Sequence, residues 1–304
     1  MRARRFLRWS YLFAILIVVG LAVSWLLGSA MTWPSPSHVP PAIAPARDVH
    51  LRTADGLIIA ATWWPGARPD APAVLLLHGN GASRAAMGPT AAWLASQGYA
   101  ALTIDFRGHG ESSPAQHSFG LDESRDAAAA FAWLKQRQHG APVAVLGSSL
   151  GGAAALLGRD GPLPADALIL IAVYPDIRHA IRNRIAVRLG SWPAMLLEPL
   201  LSYQSQFRFG VGPDALSPLH ALQQYRGPVL IIGGGRDRYT PPGETRAMFA
   251  AAPGQKRIWW VTGADHSAAS GIASEAYRNQ LGGFLFDTIG SGGKPGRPAR
   301  KFHY

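Results

Sequence analysis

The sequence predicts an α/β domain, a mostly parallel sheet with helices on both faces and a long insertion, placed behind an N-terminal transmembrane helix. Three observations predict it. Short runs of branched and small apolar residues alternate with helix-length stretches from residue 47 to 288, as in strand-helix-strand units. About fifty residues between Val173 and Pro228 fit no such period, and a connection of that length inside a compact domain is usually functional. A long uncharged apolar run follows Arg2, Arg4, Arg5 and Arg8.

That run, from Trp9 to Leu27, would span roughly 28 Å as a helix, close to the hydrocarbon thickness of about 30 Å. The arginines before it place the N-terminus in the cytoplasm and the rest of the chain on the extracytoplasmic side. The alternative is a signal segment cleaved near Gly28-Ser29-Ala30, with export of the mature chain, but the run exceeds the usual signal core of about 7 to 15 residues. Residues 1–30 are therefore an anchor or signal segment. Residues 31–46, with Pro34, Pro36, Pro40, Pro41 and Pro45, read as a stiff extended tether.

The domain proper, 47–288, opens with two strands joined at Asp55-Gly56, a dipeptide that favours a tight hairpin. "APAVLLLHG" is a buried strand, the stretch from Ser83 to Gly98 a helix closed by that glycine, and "YAALTIDFRGHG" a strand running into a glycine-rich loop. Residues 121–138 carry acids in the first turn and bases in the last, which suits the helix macrodipole. "VAVLGSSLGG", "ADALILIAV", "GPVLIIGG" and "KRIWWVTG" supply further strands, with helices at about 242–251 and 274–288. The insertion, about 175–225, reads as a cap. Within it "IRHAIRNRIAVRLG" is not cleanly amphipathic, because a helical wheel sets Arg184 and Arg188 beside Ile177. It is a cap helix with arginine stems along apolar surface, or a membrane-facing lid.

Composition narrows the function classes. A chain of 304 residues that is 48% hydrophobic builds a real core. Of the net charge of +11, eight come from the four N-terminal arginines and from Lys294, Arg297, Arg300 and Lys301, leaving +3 for the body. Residues 289–304 therefore read as a disordered basic tail, and no nucleic-acid partner is expected. The absence of cysteine excludes disulfides, a thiol nucleophile and Cys-ligated zinc.

The chemistry gathers around Gly147-Ser148-Ser149-Leu150-Gly151. A strand turning at once into a helix leaves its apex residue in crowded backbone geometry, tolerable when residues two positions either side lack bulk. Ser149 is that apex, and the backbone N–H of Leu150 would face a developing oxyanion. A serine hydroxyl needs a base within hydrogen-bond reach and an acid to orient that base. His266 follows the last strand and Asp237 the strand before it, so all three would emerge at one edge of a parallel sheet. Asp176 is the second choice of acid. His78 and His109 lie at the same edge but precede Ser149, with His78 read as a brace for its loop, and His303 lies in the tail. The second oxyanion donor is the N–H of Asn80 in "HGNGAS", with Gly81 as the alternative.

"HGNG", "DFRGHGES", "GSSLGG", "GGGRDRYTPP" and "GADHS", in this order and spacing, resemble the α/β-hydrolase superfamily. Within it they are similar to the group of monoglyceride lipases, lysophospholipases and serine aminopeptidases. The resemblance covers about residues 47–288 and implies Ser149 as nucleophile, Asp237 as acid, His266 as base, and Asn80 and Leu150 as amide donors. Many relatives have His-Gly where this chain has Gly233-Gly234. Arg107 in "DFRGHGES" is either structural or substrate-binding.

The expected function is thus a serine hydrolase cleaving a carboxylic ester through an acyl-enzyme, with no metal or organic cofactor. Trp192, Met195, Leu196, Leu197 and Phe207 offer apolar surface in the insertion for an acyl chain, and Arg182 or Arg188 a cation for an anionic group. A peptidase or amidase would use the same three residues. A different class, a catalytically idle membrane-tethered scaffold that binds a partner, has no need of the complete set.

Overall fold

The computed structural model describes residues 2–266 and 274–293. Residues 294–304, most of the expected basic tail, lie outside these, as does the stretch 267–273 just after His266. The apolar N-terminal run forms a single helix, α1 (Arg2–Met31). Within it Trp9–Met31 is long and apolar enough to cross a membrane.

The segment expected as a stiff extended tether lies against the domain. Strand β1 (Ser35–Pro36) pairs in parallel with the two-residue β6 (His109–Gly110), and Val39 and Ala46 are buried. The prolines keep the segment extended, and its few apolar side chains give it a surface to lie against.

Eight strands form the main sheet, in the order β10-β9-β8-β7-β4-β5-β3-β2. The hairpin β2 (Arg47–Arg52) and β3 (Ile58–Trp64) turns at Asp55-Gly56, where Gly56 takes φ +89°. The strands β4 (Ala73–Leu77), β5 (Ala100–Ile104), β7 (Val143–Ser148), β8 (Ala167–Ile171), β9 (Val229–Gly234) and β10 (Lys256–Val261) pair in parallel, and β3 runs antiparallel to β5 and β2. These central strands carry apolar residues on both faces because both are covered. Leu75 and Leu77 pack on one side with α3 (Glu123–Arg137), α4 (Leu150–Leu156) and α9 (Pro242–Ala251). Val74 and Leu76 pack on the other with α2 (Arg84–Ser96) and α10 (Glu275–Ile289). Alternate residues of one strand thus serve two cores.

The insertion after β8 folds as α5 (Ile177–Leu189), α6 (Ser191–Ser202), α7 (Ser205–Phe209), a short 3-10 turn at Pro213–Ala215 and α8 (Pro218–Leu222). Its own small core gathers Tyr174, Ile177, Ala180, Ile181 and Leu216, with Met31 of α1 packed against it.

Candidate active site

The parallel strands end at one edge, and the loops leaving β4, β7, β9 and β10 meet there. At the end of β7, Ser149 sits at φ 48° and ψ −108°, a region that a side chain adopts only under strain. The glycines on either side are required by space. A Cβ on Gly147 would come within 2.5 Å of Gly152 N, and one on Gly151 within 2.3 Å of Leu77 O. Both obstacles are backbone, of α4 and of β4, which cannot move aside without disturbing the helix or the sheet. Gly151→Ala is expected to lower the unfolding free energy by about 3 kcal/mol, read as a fall in the urea midpoint at unchanged slope.

The structure brings Ser149, His266 and Asp237 together. Asp237, on the loop leaving β9, accepts from Tyr239 N and Thr240 N through Oδ1, both at 2.8 Å, and its Oδ2 lies 2.8 Å from His266 Nδ1. With the acid accepting the Nδ1 proton, His266 Nε2 is left to accept from the Ser149 hydroxyl at 3.2 Å. The Asp237 side chain is fully buried, and the His266 ring keeps one partly open face. The two loops approach closely because of Gly234, whose Cβ would lie 2.6 Å from Ala264 O. Gly233 has its own reason: a side chain there would meet Thr245 and Trp260 within 2.8 Å. Trp260 fills the room that a histidine at position 233 would need.

Asp176, the alternative acid, is not at this site. It caps α5, accepting from His179 N at 2.9 Å and lying 2.8 Å from His179 Nδ1. Of the two loop amides weighed as a second oxyanion donor, Gly81 N–H is already donated to His109 Nε2 at 3.1 Å, which favours Asn80. Leu150 opens α4, so its N–H is among the first-turn donors that have no intrahelical acceptor.

His78 and His109 are braces. His78 donates from Nδ1 to Gly79 O at 2.7 Å and accepts at Nε2 from Phe106 N at 3.1 Å, tying the β4 loop to the β5 loop. His109 donates to Arg107 O, and its ring stacks on His117 at 4.0 Å and meets His78 at 5.0 Å. Burial pushes His78 down to about 3 and His117 down to about 4, and lowers His109 as well. All three imidazoles are therefore neutral at physiological pH.

Arg107 is structural. Its guanidinium is buried between Asp126, at 2.7 Å, and Asp55, at 2.8 Å, and its backbone N–H also reaches Asp126. Arg84 is held similarly by Asp105 and Glu111. In the insertion, Arg182 is paired with Glu198 at 3.1 Å and Arg188 is exposed. Arg184 turns inward: it donates to Ala180 O at 2.9 Å and lies 5.9 Å from the centre of the Tyr239 ring, which is 5.6 Å from the His266 ring. Burial lowers its pKa, and no carboxylate among the described residues lies within ion-pair distance of it. The wheel that set Arg184 beside Ile177 carried the signal, since Ile177 is buried.

Trp192, Met195, Leu196 and Phe207, expected to offer acyl-chain surface, are exposed on the outside of the insertion. Leu197 is half-buried.

Comparison with known proteins agrees with this architecture. Residues 68–208 match the family model described as serine aminopeptidase, S33. An uncharacterized protein of Mycobacterium tuberculosis is 29% identical over 86% of this chain and 85% of its own length. The lysophosphatidylserine lipase ABHD12 of Rattus norvegicus is 30% identical over 62% of this chain, and the match spans 53% of that protein. Among solved structures, an esterase of Pyrococcus furiosus superposes with a TM-score of 0.67 at 22% identity, covering 85% of this chain and 99% of the esterase. By the order of its motifs, its fold and these similarities, the chain carries the α/β-hydrolase fold and is an esterase- or lipase-like hydrolase.

Proposed function

We propose that the protein is a serine hydrolase that cleaves a carboxylic ester through an acyl-enzyme. The observation that carries the reading is the hydrogen-bonded chain from Asp237 through His266 to Ser149, 2.8 and 3.2 Å long, ending on a strained apex. Ser149 Oγ attacks the ester carbonyl as His266 Nε2 takes its proton. Asp237 holds the ring in the productive tautomer and stabilises the imidazolium. The oxyanion is met by the N–H groups of Asn80 and Leu150. His266 returns the proton to the departing alcohol, and water, activated by the same imidazole, releases the acid and restores Ser149.

Helix α1 anchors the enzyme in a membrane, with the hydrolase domain on the extracytoplasmic side, as the arginines preceding Trp9 favour. The insertion acts as the cap. The relatives that hydrolyse lysophosphatidylserine support a lipid ester as substrate, and Arg184 offers a cation near the site for an anionic group. The match to a serine aminopeptidase model favours a second reading, amide cleavage by the same residues. Parallel assay of p-nitrophenyl acyl esters and aminoacyl amides separates the two.

Fluorophosphonate labelling tests the nucleophile itself. Wild type is expected to be labelled and Ser149→Ala is not. A folded wild type that resists the probe would overturn the reading.

A further inference from the structure

Helix α6 is built inside out. Its buried stripe is Ala194, Glu198 and Ser202, at four-residue steps, and its outward face is Trp192, Met195, Leu196 and Leu200. Glu198 is buried with Arg178 at 3.1 Å, Arg182 at 3.1 Å and Ser202 at 2.7 Å around it. Trp192 is 79% exposed and Leu196 73%, and Phe207 of α7 is 81% exposed. A helix on the surface of a domain in water turns its apolar face to the core, and exposed apolar side chains gathered on one helix face mark an interaction surface.

What lies against that patch is indicated by α1. The last turns of α1 are fastened to α6 and α7. Ser24 Oγ donates to Leu200 O at 3.0 Å, Gln204 Nε2 donates to Ser24 O at 3.0 Å, and Arg208 donates to Trp25 O at 2.7 Å and to Ser29 Oγ at 3.0 Å. The Arg208 guanidinium also covers the Trp25 ring at 4.0 Å. These contacts fall inside the apolar span Trp9–Met31, and Ser24 is about 10 Å short of its end at a rise of about 1.5 Å per residue. A membrane-spanning α1 therefore holds α6 and α7 at the depth where the hydrocarbon meets the headgroups, a layer reaching about 5 to 10 Å inward for helices lying in the interface. The exposed Trp33, Trp192 and Tyr203 are the residue types that settle at that level.

We propose that the outer face of α6 and α7 docks into the lipid leaflet at the extracytoplasmic end of α1, so that the insertion over the candidate active site rests in the membrane surface. The inference rests on reading α1 as a membrane span. It also explains why Trp192, Met195, Leu196 and Phe207 are exposed: they meet the bilayer, from which an amphiphilic ester would be drawn.

The absence of cysteine makes the test direct. Single cysteines at Trp192→Cys, Leu196→Cys, Phe207→Cys, Leu16→Cys in α1 and Arg68→Cys on the exposed domain surface are labelled with nitrobenzoxadiazole. Each full-length variant is reconstituted in phosphatidylcholine/phosphatidylglycerol vesicles. Labels at Trp192, Leu196 and Phe207 are expected to be quenched by doxyl lipids and to be at least threefold less accessible to iodide than the label at Arg68. Iodide access equal to that of Arg68, with Leu16 still quenched by doxyl lipid, overturns the docking while leaving the span intact. Protection from iodide without doxyl quenching also overturns it, because protein rather than lipid then covers the face. A Leu16 label unquenched by lipid overturns the span and the docking together.

Discussion

Ser149→Ala is expected to reduce kcat/KM for ester hydrolysis by about 10⁴- to 10⁶-fold, the range seen when one member of such a constellation is removed. His266→Ala is expected to cost a similar factor, and the double variant little more than either alone, because nucleophile and base act on one proton. Steady-state kinetics on a p-nitrophenyl ester, with far-UV circular dichroism to verify folding, checks the set. The sharpest member is Asp237→Asn. Asp237 Oδ1 is committed to the amides of Tyr239 and Thr240, so an asparagine would keep its oxygen there and turn its NH2 toward His266 Nδ1. That nitrogen must then accept, which moves the ring proton to Nε2, facing Ser149, where it blocks proton uptake. A loss near 10⁴-fold with unchanged stability is expected. Additive losses in the double variant, or normal activity in Asp237→Asn, would end the assignment of a single proton relay.

Much of this arrangement was legible in the sequence. Turn geometry is local, so Gly147 and Gly151 announced the apex at Ser149, and parallel connectivity carried the residues after β9 and β10 to the same edge. The hairpin at Asp55-Gly56 and the helix closed by Gly98 were legible for the same reason: each signal lies within a few residues of the structure it sets. What escaped was decided by contacts across the chain. The partners of Arg107, Asp55 and Asp126, are 52 and 19 residues away, and no period reveals them. The docking of the proline-rich segment depends on its pairing with His109-Gly110. The outward face of α6 was not legible, because apolar residues on a cap imply an inward face, and the contacts of Ser24 and Trp25 with Gln204 and Arg208 that bear on it join residues 180 and 183 apart in the chain.

Acid is expected to weaken the fold already above the range in which carboxylates ordinarily titrate. His78 and His117 are held neutral by burial, with values near 3 and 4 in the fold against about 6.5 in an unfolded chain. Their folded values are depressed, so below about pH 6.5 the unfolded chain binds protons that the native state refuses. Stability is therefore full above that pH, falls as pH drops below it, and stops falling through these groups only near pH 4 and 3. Each histidine contributes about 1.4 kcal/mol per pH unit in this window. Between pH 7.5 and pH 5 the pair accounts for roughly 4 kcal/mol, a large part of the stability of an ordinary domain. Asp55, held below its ordinary value chiefly by Arg107, acts in a lower window, as pH falls below about 4. Asp126, which burial raises to about 7, gains a proton in the fold within the histidine window and offsets part of the fall, while His109, lowered by burial, adds to it. Urea midpoints of the full chain in detergent at pH 7.5, 6 and 5 are expected to fall. His117→Phe is expected to reduce the pH slope: it removes one titrating ring from the stack while filling its volume, losing the ring's hydrogen bond to the Gly108 backbone, whereas His117 Nε2 has no partner among the described residues. Activity separates this from the chemistry at His266, because Ser149→Ala, inert at every pH, should show the same fall in midpoint as wild type. A pH slope left unchanged by His117→Phe would mean that the buried ring takes up a proton as readily as an exposed one, and the stack would then have no part in acid stability.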